Sequence, residues 1–138
     1  MKRALWMGSG SLLLILAACQ APSERAALTP LPDDSPPMPY AELLTRARYQ
    51  ATLATEAFYV DKWAEVEDAA RGLQQTARFL PKAEDVPARQ KDALPVVSGD
   101  LSKEAGKLLE AARAKDVKEA NDSLQRVQLV VHELRLGD

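Results

Sequence analysis

The sequence predicts an all-α fold, an antiparallel four-helix bundle, on three observations. Four successive stretches place apolar residues at intervals of three and four, the spacing that puts them on one face of a helix. Hydrophobic residues make up 46% of the 138-residue chain but aromatics only 5%, with Ala and Leu dominant, which favours packed helices over a sheet of Val, Tyr and Thr. Six of the nine prolines lie between Gln20 and Pro39, leaving the remainder of the chain open to helix. A chain of this length has room for one core.

Tyr40, Leu44, Ala47, Ala51, Ala54 and Phe58 define the first helix. Val60-Asp61 interrupts it, with Asp61 placed to cap the next helix, where Trp63, Val66, Ala70, Leu73, Ala77 and Leu80 repeat the pattern until Pro81 stops it. Residues 81 to 93 hold two prolines and no sustained stripe, and read as a long crossover. Leu94, Val97, Leu101, Ala105, Leu108 and Ala112 define the third helix, with Pro95 in its first turn and Ser98-Gly99-Asp100 delaying its regular part. After Lys115-Asp116, Val117, Ala120, Leu124, Val127, Val131 and Leu134 define the fourth, ended by Gly137-Asp138. Stripes of this width predict helices packed around one core. A folded part of about a hundred residues buries roughly two thirds of its unfolded surface, so no disulfide or metal is needed.

The N-terminus predicts export. Met1-Lys2-Arg3 supplies a positive start, and Ala4 to Ala18 is an apolar run too short to span a bilayer comfortably. The ending Leu16-Ala17-Ala18-Cys19 resembles the bacterial lipobox, in which the cysteine thiol is diacylated before cleavage ahead of it, and this accounts for the single cysteine of the chain. The expected organisation is a signal peptide at 1–18, a lipidated Cys19 and Pro-rich tether at 19–39, and the bundle at 40–138. Removal of Lys2 and Arg3 leaves 16 basic and 20 acidic side chains, a mildly acidic exported protein. Gln20, in place of Asp after the cysteine, resembles the outer-membrane sorting pattern of Gram-negative lipoproteins. In extended polyproline geometry, at about 3.1 Å per residue, the twenty residues from Gln20 to Pro39 would hold the domain up to roughly 60 Å from the membrane.

Composition narrows the function classes. A formal net charge of −2 does not predict the basic surface that neutralises a phosphate backbone, so no nucleic-acid partner is expected. One His and one Cys cannot build a Cys/His metal cluster. There is no Gly-x-Ser-x-Gly turn, no phosphate-cradling Gly-rich loop, no EF-hand spacing and no Glu-x-x-His pair, so no enzyme is indicated and no catalytic or metal-ligating residue is named. Glu65, Glu67 and Asp68, and Glu104 with Lys107, fall between apolar positions and are expected on a solvated face.

His132 remains. With Leu124, Val127, Val131 and Leu134 as the buried stripe, 100° per residue places His132 about 120° from its centre, Gln128 about 80° away and Leu129 opposite. It is therefore expected to be exposed, either as a surface residue near a helix C-terminus or as an axial ligand to haem or another metal at the bundle edge.

The segment from Leu108 to Arg135, ending in Gln128-Leu129-Val130-Val131-His132-Glu133-Leu134-Arg135, resembles the last two helices of the cytochrome c′ family, and Trp63 on an earlier helix fits as well. The likeness spans most of residues 40 to 136. That family is a four-helix bundle carrying Cys-x-x-Cys-His-x-x-aromatic-Arg on its fourth helix and binding haem covalently. Here Gln128 and Val131 stand at the cysteine positions, while His132 and Arg135 are matched to the histidine and arginine. The resemblance thus implies a haem-free relative without a cofactor, and together with the lipobox and the missing catalytic motifs the expectation is a membrane-anchored envelope lipoprotein with a non-enzymatic binding or structural role. A surface for an envelope protein partner could use Leu129 and Leu136, which lie off the buried stripe of the fourth helix. The alternative the resemblance implies is non-covalent haem, or a metal, held by His132 for electron transfer or gas sensing.

Overall fold

The computed structural model describes residues 29–135, so Cys19 with the segment around it, and Leu136, lie outside the described residues. Among those described are four α-helices, α1 (Tyr40–Tyr59), α2 (Trp63–Phe79), α3 (Leu94–Ala114) and α4 (Val117–Arg135), with a 3-10 turn at Leu80–Lys82 and no strand. Each helix packs on the next and α1 packs on α4, which closes a four-helix bundle.

The three helix starts expected at Tyr40, Trp63 and Val117 are observed, but the caps differ. At the end of α1 the Lys62 N–H donates to the Ala57 carbonyl and the Asp61 N–H to the Phe58 carbonyl, with Asp61 left-handed at φ 57°. This is the Schellman arrangement, so Asp61 closes the preceding helix and Lys62 occupies the N-cap of α2 without a side-chain cap. α3 ends the same way. Asp116 N–H bonds the Ala111 carbonyl, Lys115 N–H bonds the Ala112 carbonyl, and Lys115 is left-handed at φ 52°. Asp116 then caps α4, accepting the Glu119 N–H on Oδ1 at 3.0 Å.

Pro81 stops α2 one residue earlier than the stripe indicated, because Leu80 already belongs to the 3-10 turn while remaining fully buried. α3 is helical from Leu94 onward, without the delay expected at Ser98-Gly99-Asp100: Pro95 occupies a first-turn position where its missing N–H costs nothing.

The core has two parts. Around the start of α1 and the end of α4 it is built of Leu43, Leu73, Leu80, Leu101 and Leu134 with Tyr40, Phe79 and Val127. Toward the two interhelical turns it is built mainly of small residues, Ala54, Ala57, Ala69, Ala70, Ala111, Ala112 and Ala120, with Val66, Leu108 and Leu124. At the leucine end the last carbonyls of α4, which have no partner within the helix, are capped from a distance. The Tyr40 hydroxyl donates to the Leu134 carbonyl, and Gln90 Nε2, from the crossover, donates to the carbonyls of Glu133 and Leu134 at 3.1 and 3.4 Å.

Polar groups also enter the core. Thr76 donates to Gln50 Oε1 at 2.9 Å, both side chains being buried. Glu104, expected on the solvated face, is buried instead; its Oε1 accepts from Lys107 Nζ at 2.9 Å and its Oε2 lies 3.7 Å from Arg126 Nη1 on α4. Ser123 is fully buried on α4 and its Oγ has no hydrogen-bond partner. A desolvated hydroxyl left unpaired costs about 1–3 kcal/mol, so Ser123→Ala is expected to raise stability by roughly 1 kcal/mol, read as a higher urea midpoint with an unchanged slope.

The Pro-rich segment is not a free spacer throughout. Residues 29–39 form a strap on the α1–α2 side of the bundle. Leu31 exchanges both backbone hydrogen bonds with the Gln75 amide, at 2.8 and 2.6 Å, and Arg46 Nη2 donates to the Thr29 carbonyl. Glu84 N–H donates to the Met38 carbonyl and Tyr40 N–H to the Glu84 carbonyl, while Leu31 and Met38 pack on the leucine end of the core. Proline lacks an N–H but keeps its carbonyl, so a strap held by side-chain amides and guanidinium groups suits this composition better than a strand would.

Candidate functional site

His132 is exposed on α4, as its angle from the stripe requires, and Leu129 is 63% exposed on the far side of the same helix. The stripe differs from the expected one at three positions: Ser123 and Val130 are also buried, and Val117, expected on it, is exposed because the first turn of α4 projects past the core. His132 lines a surface groove of about 300 Å³ between α1 and α4, together with Arg48 and Thr52 of α1 and Gln128, Val131 and Arg135 of α4.

Two helical spacings build this groove. Arg48 and Thr52 are four apart on α1, and Gln128, Val131, His132 and Arg135 fall at successive intervals of three, one and three on α4, so each set shares one face. Gln128 fixes the seam, its Nε2 donating to the Ala51 carbonyl at 3.3 Å and to Thr55 Oγ1 at 3.2 Å. The Thr52 hydroxyl is directed back into its own helix, onto the Arg48 carbonyl at 3.0 Å. By contrast, the side chains of Arg48, His132 and Arg135 make no hydrogen bond or ion pair with the described residues.

Three donor-rich groups, two of them permanently cationic, therefore converge on one groove without a counter-charge among the described residues that line it. Guanidinium forks match the oxygen spacing of carboxylates and phosphates, and an imidazole N–H adds a third donor. Val131 is the single apolar residue among the described residues of the lining. A porphyrin needs apolar walls on both faces, and this groove does not supply them.

Arg135 also departs from the motif to which it was matched. With His132 at the histidine, the arginine falls four residues on, at position 136; Arg135 occupies the aromatic position. Of the motif only His132 remains in register. Among the described residues no group of three His, Cys, Asp or Glu side chains is placed to hold a metal ion, and no helix is long and apolar enough to cross a membrane.

A second groove, of about 500 Å³, lies under the strap between Thr29, Pro30, Gln50, Asp68, Arg71, Gly72, Gln75 and Arg78. In it Arg71 meets Glu67 and Asp68 at 2.9 Å each, while Arg78 makes no ion pair with the described residues. A Cβ at Gly72 would stand 2.7 Å from Gln50 Nε2, so a larger residue here would have to displace that amide. Burial lowers the affinity of the Arg46 guanidinium for its proton, and Glu42 opposes the shift. The Thr29 carbonyl accepts from that same group, so Arg46 acts as a strut for the strap.

Sequence reasoning singled out His132 and missed Arg48. The available signal was the polar pair Arg48 and Thr52 on the face of α1 away from its stripe, but its juxtaposition with α4 depends on the register between two helices far apart in the chain. No family model, no curated protein and no solved structure matches this chain.

Proposed function

We propose that the chain is a cell-envelope lipoprotein anchored through Cys19, whose bundle is a non-enzymatic binding module that receives an anionic group of its ligand in the Arg48–His132–Arg135 groove. The observation that carries this reading is the convergence of three side chains from α1 and α4 that have no partner among the described residues. In a chain with an excess of acidic residues, a groove whose described charged lining is basic runs against the overall charge and is a place where an anion is attracted.

The reading includes an antiparallel, cytochrome c′-like arrangement of the helices and a place on the periplasmic side of the outer membrane. Short turns between α1 and α2 and between α3 and α4 support the antiparallel order. So does the pairing of Tyr40 with Leu134 and of Ala51 with Gln128, which runs up one helix and down the other. With the strap folded onto the bundle, ten residue steps separate Cys19 from Thr29, a span of at most about 35 Å. The domain is then held closer to the bilayer than a tether reaching Pro39 would allow.

Titration calorimetry of the protein with inorganic phosphate tests the groove. Saturable binding is expected, weakened about tenfold, or 1.4 kcal/mol, in Arg48→Ala/Arg135→Ala. Both side chains are exposed, so the fold is preserved. Equal affinity in the variant, or no binding to the wild type, overturns the assignment.

The haem alternative has one observation in its favour: an accessible His132 between two arginines could meet the carboxylates of haem. The polar lining opposes it. A haem titration is expected to give no saturable Soret shift; a shift that saturates and disappears in His132→Ala would replace the anion reading with the haem one.

A further inference from the structure

At the end of the bundle formed by the α1–α2 and α3–α4 turns, the surface changes character. Tyr59 is 74% exposed, Val60 61% and Val117 59%, which makes three of the five large, exposed hydrophobic side chains among the described residues. Phe58 and Trp63 lie half-buried beside them, with the Phe58 ring edge-on to Tyr59 at 5.5 Å and to Trp63 at 5.7 Å. The cause lies beneath. The core at this end is made mostly of alanine, so the helices close tightly and the aromatic rings cannot sink between them. Lys62 and Lys115 border the cluster, Asp116 caps α4 while remaining exposed, and Glu65 is held by Lys62 at 3.0 Å. Asp61 lies on the turn itself.

The opposite end is different. The crossover there exposes Lys82, Glu84, Asp85, Arg89, Lys91 and Asp92, a dense mixture of charges with no comparable apolar cluster.

The strap connects this contrast to the anchor. It leaves Tyr40 at the charged end and runs back along the α1–α2 side, so that Thr29 sits beside Gln50, Arg71 and Gly72, halfway along the helices. The chain is thus already directed toward the turn end. From Gln50 to Tyr59 is nine residues of helix, about 14 Å. The ten residue steps back to Cys19 cover at most about 35 Å, enough to pass that end and enter a bilayer beneath it.

We propose that the turn end, through Tyr59, Val60, Trp63 and Val117, docks on the lipid bilayer surface next to the anchor. Tyr and Trp rings prefer the headgroup level, where an apolar body and a polar tip are both satisfied, and the lysines keep their charges in water while their stems lie along the interface. Docking of this kind is shallow and depends on the anchor for its local concentration. It also fixes orientation. Arg135 lies eighteen residues of α4 from Val117, about 27 Å, so the Arg48–His132–Arg135 groove is held away from the membrane and open to the aqueous side.

The inference rests on the anchoring reading, and one experiment separates the two. Full-length protein carrying Trp6→Phe, so that Trp63 is the sole tryptophan, is purified from cell membranes and reconstituted into vesicles containing brominated phosphatidylcholine. Strong quenching of Trp63 is expected, with most of it lost in Tyr59→Asp/Val60→Asp/Val117→Asp, a variant that remains in the membrane fraction. All three changes are at exposed positions, and Asp at 117 suits the first turn of a helix, so circular dichroism is expected to be unchanged. Membrane-bound protein whose Trp63 is not quenched overturns the inference alone. Trp63 shielded from aqueous iodide yet unquenched by the lipid, in a crosslinkable dimer, overturns it in favour of a second copy. Protein recovered only in the soluble fraction overturns the anchor and the docking together.

Discussion

Cys19→Ser is expected to abolish incorporation of labelled palmitate and to remove the protein from the outer-membrane fraction. On the proposed anchoring the effect is all or none, because it would fall on one residue: the chain has a single cysteine, and no helix among the described residues is long and apolar enough to span a bilayer. Each buried methylene adds about 0.8 kcal/mol, so one acyl chain holds a protein only reversibly while two hold it firmly. The docking surface at the turn end cannot compensate, since a few exposed side chains bind an interface weakly without a lipid tether. Label retained by Cys19→Ser would show that the acyl group is carried elsewhere, or that the small-residue run before the cysteine is not a processing signal.

The second large effect is on folding. Leu101→Ala is expected to cost about 3–4 kcal/mol, because Leu101 is fully buried on α3 among the leucines that fill the core between the strap side and α4. For a domain of this size that corresponds to a fall of roughly 15–20 °C in Tm. Leu129→Ala, on the same kind of side chain at an exposed site, is expected to change stability by less than about 0.5 kcal/mol. Thermal unfolding of the pair, followed by circular dichroism, reads both. Similar melting of the two variants would contradict the core assigned to α3.

The helices were legible because their information is local. Apolar residues at intervals of three and four, broken at Val60-Asp61, Pro81 and Lys115-Asp116, are sufficient to place four helices, and the same geometry predicted that His132 and Leu129 would be exposed. The caps were legible only in part. Asp116 and Asp61 precede helices in similar ways, yet only Asp116 acts as an N-cap; Asp61 was drawn into the left-handed position that ends α1, a conformation Asp tolerates better than most residues.

What the sequence concealed are contacts between distant segments. A run of prolines reads as a spacer, and nothing near Leu31 shows that Gln75, 44 residues on, will take both its backbone hydrogen bonds. Glu104 looks like a surface carboxylate by spacing, but it is buried at the α3–α4 seam with Lys107 and Arg126 around it. The groove is of the same kind: one wall, with His132, could be derived from the periodicity of α4, whereas Arg48 joins it only once α1 and α4 are in register. The apolar turn end was hidden for another reason. Trp63 and Phe58 belong to helical stripes, and their partial exposure follows from the alanines they would have to displace.

The most direct test of the groove uses the one imidazole in the chain, which gives a single, assignable NMR signal. Inorganic phosphate is titrated into the protein at fixed pH and the His132 ring resonances are followed, beside Arg48→Ala/Arg135→Ala. A saturable shift in the wild type that is lost in the double variant is the result expected of an anion held between the two arginines. A ring signal that does not move, or that moves equally in both proteins, would contradict an anion-binding role for this groove.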